Sequence, residues 1–251
     1  MKARYRIAVM MVAAVALLML SMPVYASKMD NRIESSARKS YVFKTYLQDD
    51  DIKIQSMNGV VTLTGTVAEE SHKSLAQETV AGLPGVKSVY NKLEVKGERP
   101  ADNSDAWLTT KVKTILLFHR NVSAMTEVTT KDGIVTLRGE AASMAQKDLT
   151  TEYARDVEGV KDVKNEMTVA KTPKKTRSAG QKIDDASITA QVKTALLYHR
   201  STSSVQTSVT TKNGVVTLTG KAKNAAERDL AAKFAQDVKG VKSVKNQMTI
   251  E

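Results

Sequence analysis

The motif Gly59-Val-Val-Thr-Leu-Thr-Gly65 returns as Gly133-Ile-Val-Thr-Leu-Arg-Gly139 and again as Gly214-Val-Val-Thr-Leu-Thr-Gly220. Each copy is followed, at a constant spacing of 26 residues between first glycines, by a second motif: Gly85-Val-Lys-Ser-Val-Tyr-Asn91, Gly159-Val-Lys-Asp-Val-Lys-Asn165 and Gly240-Val-Lys-Ser-Val-Lys-Asn246. Two motifs repeated in fixed register mean three copies of one folding unit, because each copy carries the same pattern of side chains to bury. An aromatic content of 4% is thin for one large core and suits several small ones. The units span 30–96, 103–171 and 184–251, about the smallest size at which a domain folds on its own.

Within a unit the pattern reads α-β-β-α-β. A one-sided helix opens it, clearest as Leu108, Val112, Ile115, Leu116 and as Ile188, Val192, Ala195, Leu196. Two strands follow, joined by Asn58-Gly59, Asp132-Gly133 or Asn213-Gly214, pairs that tolerate the positive φ angles of a type I′ hairpin turn. The second helix starts at a capping box, Ser143 with Gln146 and Asn224 with Glu227, and buries Leu149, Tyr153, Val157 or Leu230, Phe234, Val238. Gly159 and Gly240 stand where a helix takes a left-handed C′ residue, and a last strand, as in 163–169, closes the unit. The fold class is therefore α+β: two helices on one face of a three-stranded mixed sheet, with the other face Thr-rich and wet.

The N-terminus reads as a secretory signal peptide over 1–26. Lys2, Arg4 and Arg6 precede an apolar run from Ile7 to Leu20, and Val24 and Ala26 occupy the positions of a cleavage site near Ala26/Ser27. Export places the mature chain in the periplasm, and with no cysteine it has neither disulfides, a thiol nucleophile nor a lipid-anchoring site. The linker at 97–102 is short, whereas that at 172–183 is longer and basic, so the third unit is expected to have the greater orientational freedom.

The paired G-V-V-T-L-x-G and G-V-x-x-V-x-N motifs, with the helix between them, resemble the BON domain, and a signal peptide before tandem units resembles the osmotically inducible periplasmic protein Y family. That resemblance implies an envelope- or osmotic-stress protein of the periplasm without catalytic activity, although those proteins most often carry two units. The segment 103–112, with Trp107, is also similar to the first helix of the second unit in dual-BON outer-membrane lipoproteins. In those proteins this helix contacts anionic phospholipid.

On a helical wheel Trp107, Lys111, Thr114 and Phe118, flanked by Leu117, fall outside the core face and form a second stripe of rings, a cation and a hydroxyl, as interfacial helices do. Unit 3 offers Ser187, Gln191, Thr194 and Tyr198 at the matching places, and unit 1 offers Arg32, Ser36, Lys39 and Phe43. Two readings of the stripe stand: contact with a membrane, or packing on a neighbouring unit. The formal charge of +11 falls to about +8 once Lys2, Arg4 and Arg6 are removed, and the excess lies in the third unit and in the linker with Lys174, Lys175 and Arg177. Such a segment adds attraction to an anionic surface.

Catalysis is not expected. His72, His119 and His199 are the only histidines and sit in no catalytic or metal-binding motif. His119-Arg120 and His199-Arg200 recur as a repeat at a helix end, where cations complement the dipole. Neither a metal nor a cofactor is expected, and the repeated glycines serve backbone geometry rather than phosphate binding. Export and scarce aromatic residues argue against nucleic acid. The partners expected are an anionic phospholipid surface or, alternatively, unfolded or outer-membrane client proteins held by a chaperone.

Overall fold

A computed structural model describes residues 28–97, 100–122, 126–170, 182–202 and 206–251. The segment 1–26, read above as a signal peptide, and the basic linker residues Lys174, Lys175 and Arg177 lie outside the described residues. Unit 1 contains α1 (Lys28–Lys39), α2 (Tyr41–Thr45), β1 (Asp51–Met57), β2 (Val60–Val67), α3 (Glu70–Ala81) and β3 (Ser88–Val95). Unit 2 contains α4 (Asp105–Phe118), β4 (Glu127–Lys131), β5 (Ile134–Arg138), β6 (Glu140–Ala141), α5 (Met144–Arg155), β7 (Asp162–Asn165) and β8 (Thr168–Val169). Unit 3 contains α6 (Asp185–Tyr198), β9 (Gln206–Lys212), β10 (Val215–Ala222), α7 (Ala225–Asp237), β11 (Ser243–Asn246) and β12 (Thr249–Ile250).

In every unit the strand bearing the first motif is central, antiparallel to the strand before it and parallel to the strand after the second helix, which makes the mixed sheet expected from the α-β-β-α-β order. Alternation sorts the faces: Val135 and Leu137 are buried beneath the helices while Ile134, Thr136 and Arg138 point outward. The hairpin turns carry positive φ at both central residues, 55° and 80° at Asp132 and Gly133 for example. Both helix-start boxes close: Ser143 accepts from the Gln146 amide and Asn224 from the Glu227 amide, and each return side chain accepts the amide one residue before the cap.

A device repeated three times was not foreseen. The acidic residue in the first turn of each opening helix accepts hydrogen bonds from the two hairpin-turn amides: Asp30 from Asn58 and Gly59 at 3.0 and 2.9 Å, Asp105 from Asp132 and Gly133 at 2.8 and 2.8 Å, and Asp185 from Asn213 and Gly214 at 2.6 and 2.8 Å. One carboxylate thus favours the helix N-terminus and fixes the turn against it. Asp105→Ala is expected to destabilise unit 2 by about 1–3 kcal/mol, since it strips two amides of a charged acceptor; urea unfolding of the full chain beside the wild type measures it. The asparagine ending the second motif works similarly. Asn165 donates to the Lys147 carbonyl on α5 and accepts from the Met167 amide, and Asn91 and Asn246 repeat both contacts.

Three expectations need correction. Gly159 and Gly240 do not end helices: α5 stops at Arg155, and Gly159 (φ 92°) is the third residue of a turn closed by the Val160 amide on the Val157 carbonyl. That turn also presses on the opening helix, so a Cβ on Gly159 would stand 2.9 Å from a Leu108 methyl. The last strand of units 2 and 3 is split into two short pieces, with Met167 and Met248 buried at the breaks, whereas that of unit 1 runs unbroken over Ser88–Val95 although Asn91 makes the same contact. Unit 3 is not set apart from the others, since its opening helix packs on both. Gly82 ends α3 of unit 1 so close to α6 that a Cβ there would lie 3.3 Å from the Ala186 Cα. The opening helix of unit 1 breaks at Ser40, and the freed Tyr41 and Val42 amides donate to Asp184 and Ser187 of unit 3 at 2.7 and 3.1 Å. Lys193 of unit 3 pairs with Glu78 of unit 1 at 2.6 Å.

Candidate functional site: the stripe on the opening helices and the seam it forms

The stripe named from the sequence runs along α4, and the three-unit arrangement uses most of it internally. Phe118 is 1% exposed and sits in the core of unit 1, its ring 5.4 Å from that of Tyr46 and inclined at 65°. Leu117 packs on the same cluster half-buried. Thr114 is buried and turns its hydroxyl back to the Thr110 carbonyl at 2.9 Å, the ordinary local option for a helical threonine without an outside partner. Only Trp107 and Lys111 stand at the rim. The Lys111 ammonium lies 3.5 Å from the centre of the Trp107 ring and 5.2 Å from that of Tyr198, a cation held between two rings of different units. Burial lowers the Lys111 pKa from its ordinary value, and the charges of Glu158 and Asp102 partly oppose that shift.

The matching stripe of unit 3 is entirely interior. Ser187, Gln191 and Thr194 are buried between units, and Tyr198 belongs to the core of unit 2, where burial pushes its phenol up to about 12. An opening helix here has a core face toward its own sheet and a second face toward a neighbour. In unit 3 that double duty suits small hydroxyls and planar groups, Ser187, Thr194, Gln191 and Tyr198, all of them buried.

Where units 2 and 3 meet, sequence reasoning missed the main feature. The ends of α4 and α6 run antiparallel past the ends of α7 and α5, pairing His119 with Val238 and Val157 with His199. The arrangement repeats itself about an approximate two-fold axis. The Arg120 amide donates to the Asp237 carbonyl at 2.9 Å and the Arg200 amide to the Asp156 carbonyl at 2.6 Å. At the axis two imidazoles with no exposed surface face each other, Nε2 to Nε2 at 3.1 Å. His119 stacks on Tyr153 and His199 on Phe234, each pair 4.0 Å apart. The Nδ1 atoms face carboxylates of the opposite unit, His199 to Asp156 at 3.0 Å and His119 to Asp237 at 3.3 Å.

The two halves differ in detail. Tyr153 donates its hydroxyl to Asp237 at 2.7 Å, whereas Phe234, its counterpart, has none to give; Ser201 donates to Asp156 in its half and Asn121 to Asp237 in the other. The Arg120 guanidinium donates to the carbonyls of Gln236, Val238 and Val241 at 2.7, 2.9 and 2.5 Å. Burial alone would raise the Asp156 carboxyl, but hydrogen bonds from His199 and Ser201 and the His199 charge outweigh it and hold the pKa below the ordinary value. The His199 pKa is lowered, chiefly by burial. The signal was present in the repeats: His-Arg after the opening helix and Asp-Val after the second occur together in units 2 and 3, while unit 1 has Lys44-Thr45 and Gly82-Leu83.

Chemically the seam is a set of proton sites and ring stacks. Among the described residues no group of three or more His, Cys, Asp or Glu is arranged to hold a metal ion.

The osmotically-inducible protein Y of Escherichia coli (strain K12) is 36% identical over 143 residues, covering 55% of this chain and 71% of that protein. A 21 kDa hemolysin of Actinobacillus pleuropneumoniae is 36% identical over 116 residues, or 45% of this chain and 59% of that protein. The outer membrane lipoprotein DolP of Haemophilus influenzae is 34% identical over 135 residues, covering 53% and 68% respectively. The BON domain itself matches 29–97, 104–171 and 184–251, one match for each unit described above, and the chain belongs to the BON-domain family.

Proposed function

We propose that this protein is exported to the periplasm and serves envelope or osmotic stress there without catalysis, docking reversibly on anionic phospholipid surfaces. One observation carries the lipid reading: the Lys111 ammonium stacked on Trp107 at the rim of the seam, an amphipathic ring and a cation side by side on the first turns of a helix. The basic charge left after Lys2, Arg4 and Arg6 are removed from the formal +11, and the similarity to proteins named for osmotic induction and for the outer membrane, support the reading. With Phe118 and Thr114 turned inward, the contact on α4 narrows to Trp107 and Lys111, joined by the basic residues Lys174, Lys175 and Arg177 ahead of unit 3.

Trp107 is the only tryptophan, so its emission reports the contact directly. Titrating the mature chain with phosphatidylglycerol vesicles is expected to blue-shift that emission, and phosphatidylcholine vesicles are expected to leave it unchanged. Lys111→Ala should weaken partitioning about fivefold, the equivalent of about 1 kcal/mol for one basic residue at an anionic surface. Identical recovery of the wild type with both vesicles in co-sedimentation would remove the lipid reading. A chaperone role is the second reading, favoured by Met57 and Tyr90, which stand exposed on the outward face of the unit 1 sheet. Suppressed aggregation of an unfolded outer-membrane protein, without vesicle binding, would select it.

A further inference from the structure

We infer that the contact between units 2 and 3 is an acid-sensitive clasp, in which the chain Asp156, His199, His119, Asp237 accepts one added proton and excludes a second. The two rings offer four nitrogens, and the hydrogens on them decide the limit. With both rings neutral, His199 donates from Nδ1 to Asp156 and accepts at Nε2 from His119. The His119 Nδ1 then bears a lone pair and has no hydrogen-bond partner; Asp237 Oδ2 is 3.3 Å away, off the hydrogen-bonding line, and already takes the Tyr153 hydroxyl. One further proton on that Nδ1 meets a carboxylate and completes the chain. A second has only the His199 Nε2 left, where it would point at the His119 N–H across 3.1 Å with no water between two rings that have no exposed surface. Two like charges and two opposed hydrogens at that distance have no compensation.

Every other charged group around the pair keeps its state in the relevant range. Arg120 and Arg200 stay cationic. Hydrogen bonds hold the Asp156 carboxyl below its ordinary value, so it ionises throughout mild acid and its own contribution is lost only as pH falls through that depressed pKa. Burial and the bond to Asp237 raise the Tyr153 phenol, which stays neutral. Burial lowers the Lys239 pKa; its ammonium donates to the Leu117 carbonyl beside the seam. Asn121 and Ser201 do not titrate, and the third histidine, His72, is bonded to Asp50 inside unit 1.

The sign follows. Separated units would leave both imidazoles near their free value of about 6.5, so the open form binds two protons where the closed form binds one. The contact is therefore fully formed above that value and weakens with falling pH, approaching tenfold per pH unit. Opening uncovers Tyr153, Tyr198 and Phe234.

Native-state hydrogen exchange of the full chain reads the opening directly, because three amide-to-carbonyl bonds cross the seam: Arg120 to Asp237, Arg200 to Asp156 and Lys239 to Phe118, at 2.9, 2.6 and 3.0 Å. After correction for intrinsic rates, their opening constant is expected to rise about 20-fold between pH 7 and pH 5, from one proton on a site of pKa about 6.5. The amides of β5 and β10, held within single units, should show no comparable rise. His199→Gln keeps a donor for Asp156 and an acceptor for His119 but takes no proton, and should reduce the rise below about threefold; His119→Gln is the second variant. A flat wild-type profile overturns the clasp, as does a 20-fold rise retained in both variants. Imidazole 15N spectra of the closed wild type at pH 5 decide independently of either variant: one imidazolium between His119 and His199 supports the clasp, and two overturn it.

Discussion

Phe118→Ala, a substitution in unit 2, is expected to destabilise unit 1 by about 3–5 kcal/mol, the range for truncating a fully buried phenylalanine. The ring is carried by α4 yet fills the core formed by Ile33, Val42, Leu63 and Val80, with Tyr46 edge-on against it. Its loss leaves a cavity there and little change around Leu137 and Val135. Hydrogen exchange should separate the two, with the amides of β2 losing protection while those of β5 keep theirs. Tyr198→Ala mirrors the experiment, since that ring is carried by unit 3 and belongs to the core of unit 2. Leu197→Ala is the control, being an exposed neighbour on the same helix whose loss should change stability by about 0.5 kcal/mol at most.

Asp237→Ala is expected to weaken the contact between units 2 and 3 by about 1–3 kcal/mol, as when the charged acceptor of a buried hydrogen bond is removed. The carboxylate takes the Tyr153 hydroxyl and the Asn121 amide and faces His119. Deleting it leaves the buried Tyr153 phenol without its acceptor, and the penalty for an unpaired buried group exceeds what its bond contributed, whereas the exposed Asn121 amide can turn to solvent. The readout is loss of protection at the Arg120 and Lys239 amides at pH 7.5. An unchanged protection pattern would mean that ring stacking and the backbone bridges suffice without the carboxylate.

Much of each unit was legible in the sequence because its determinants are local. Asn-Gly and Asp-Gly fix a turn, alternation fixes a sheet face, and Ser143 or Asn224 fixes a helix start, each within a few residues of its effect. The Asp105 staple and the Asn165 anchor were harder to read. Their residues stand in the repeats, but their partners lie 27 and 18 positions away and are chosen by the fold. The stripe on α4 was visible as a stripe, and its occupant was not: a wheel shows that a face is unlike solvent-exposed helix without saying whether lipid or another unit covers it.

The sequence by itself determined three α-β-β-α-β bodies, their hairpins and their own cores, since hydrophobic period and turn chemistry act over short separations. Only the tertiary structure decided that Phe118 belongs to unit 1, that Tyr198 belongs to unit 2, and that His119 meets His199 from 80 residues away. Such contacts depend on how three finished surfaces fit together. No local pattern encodes that fit, because a histidine at a helix end looks the same in sequence whether it faces water or another histidine.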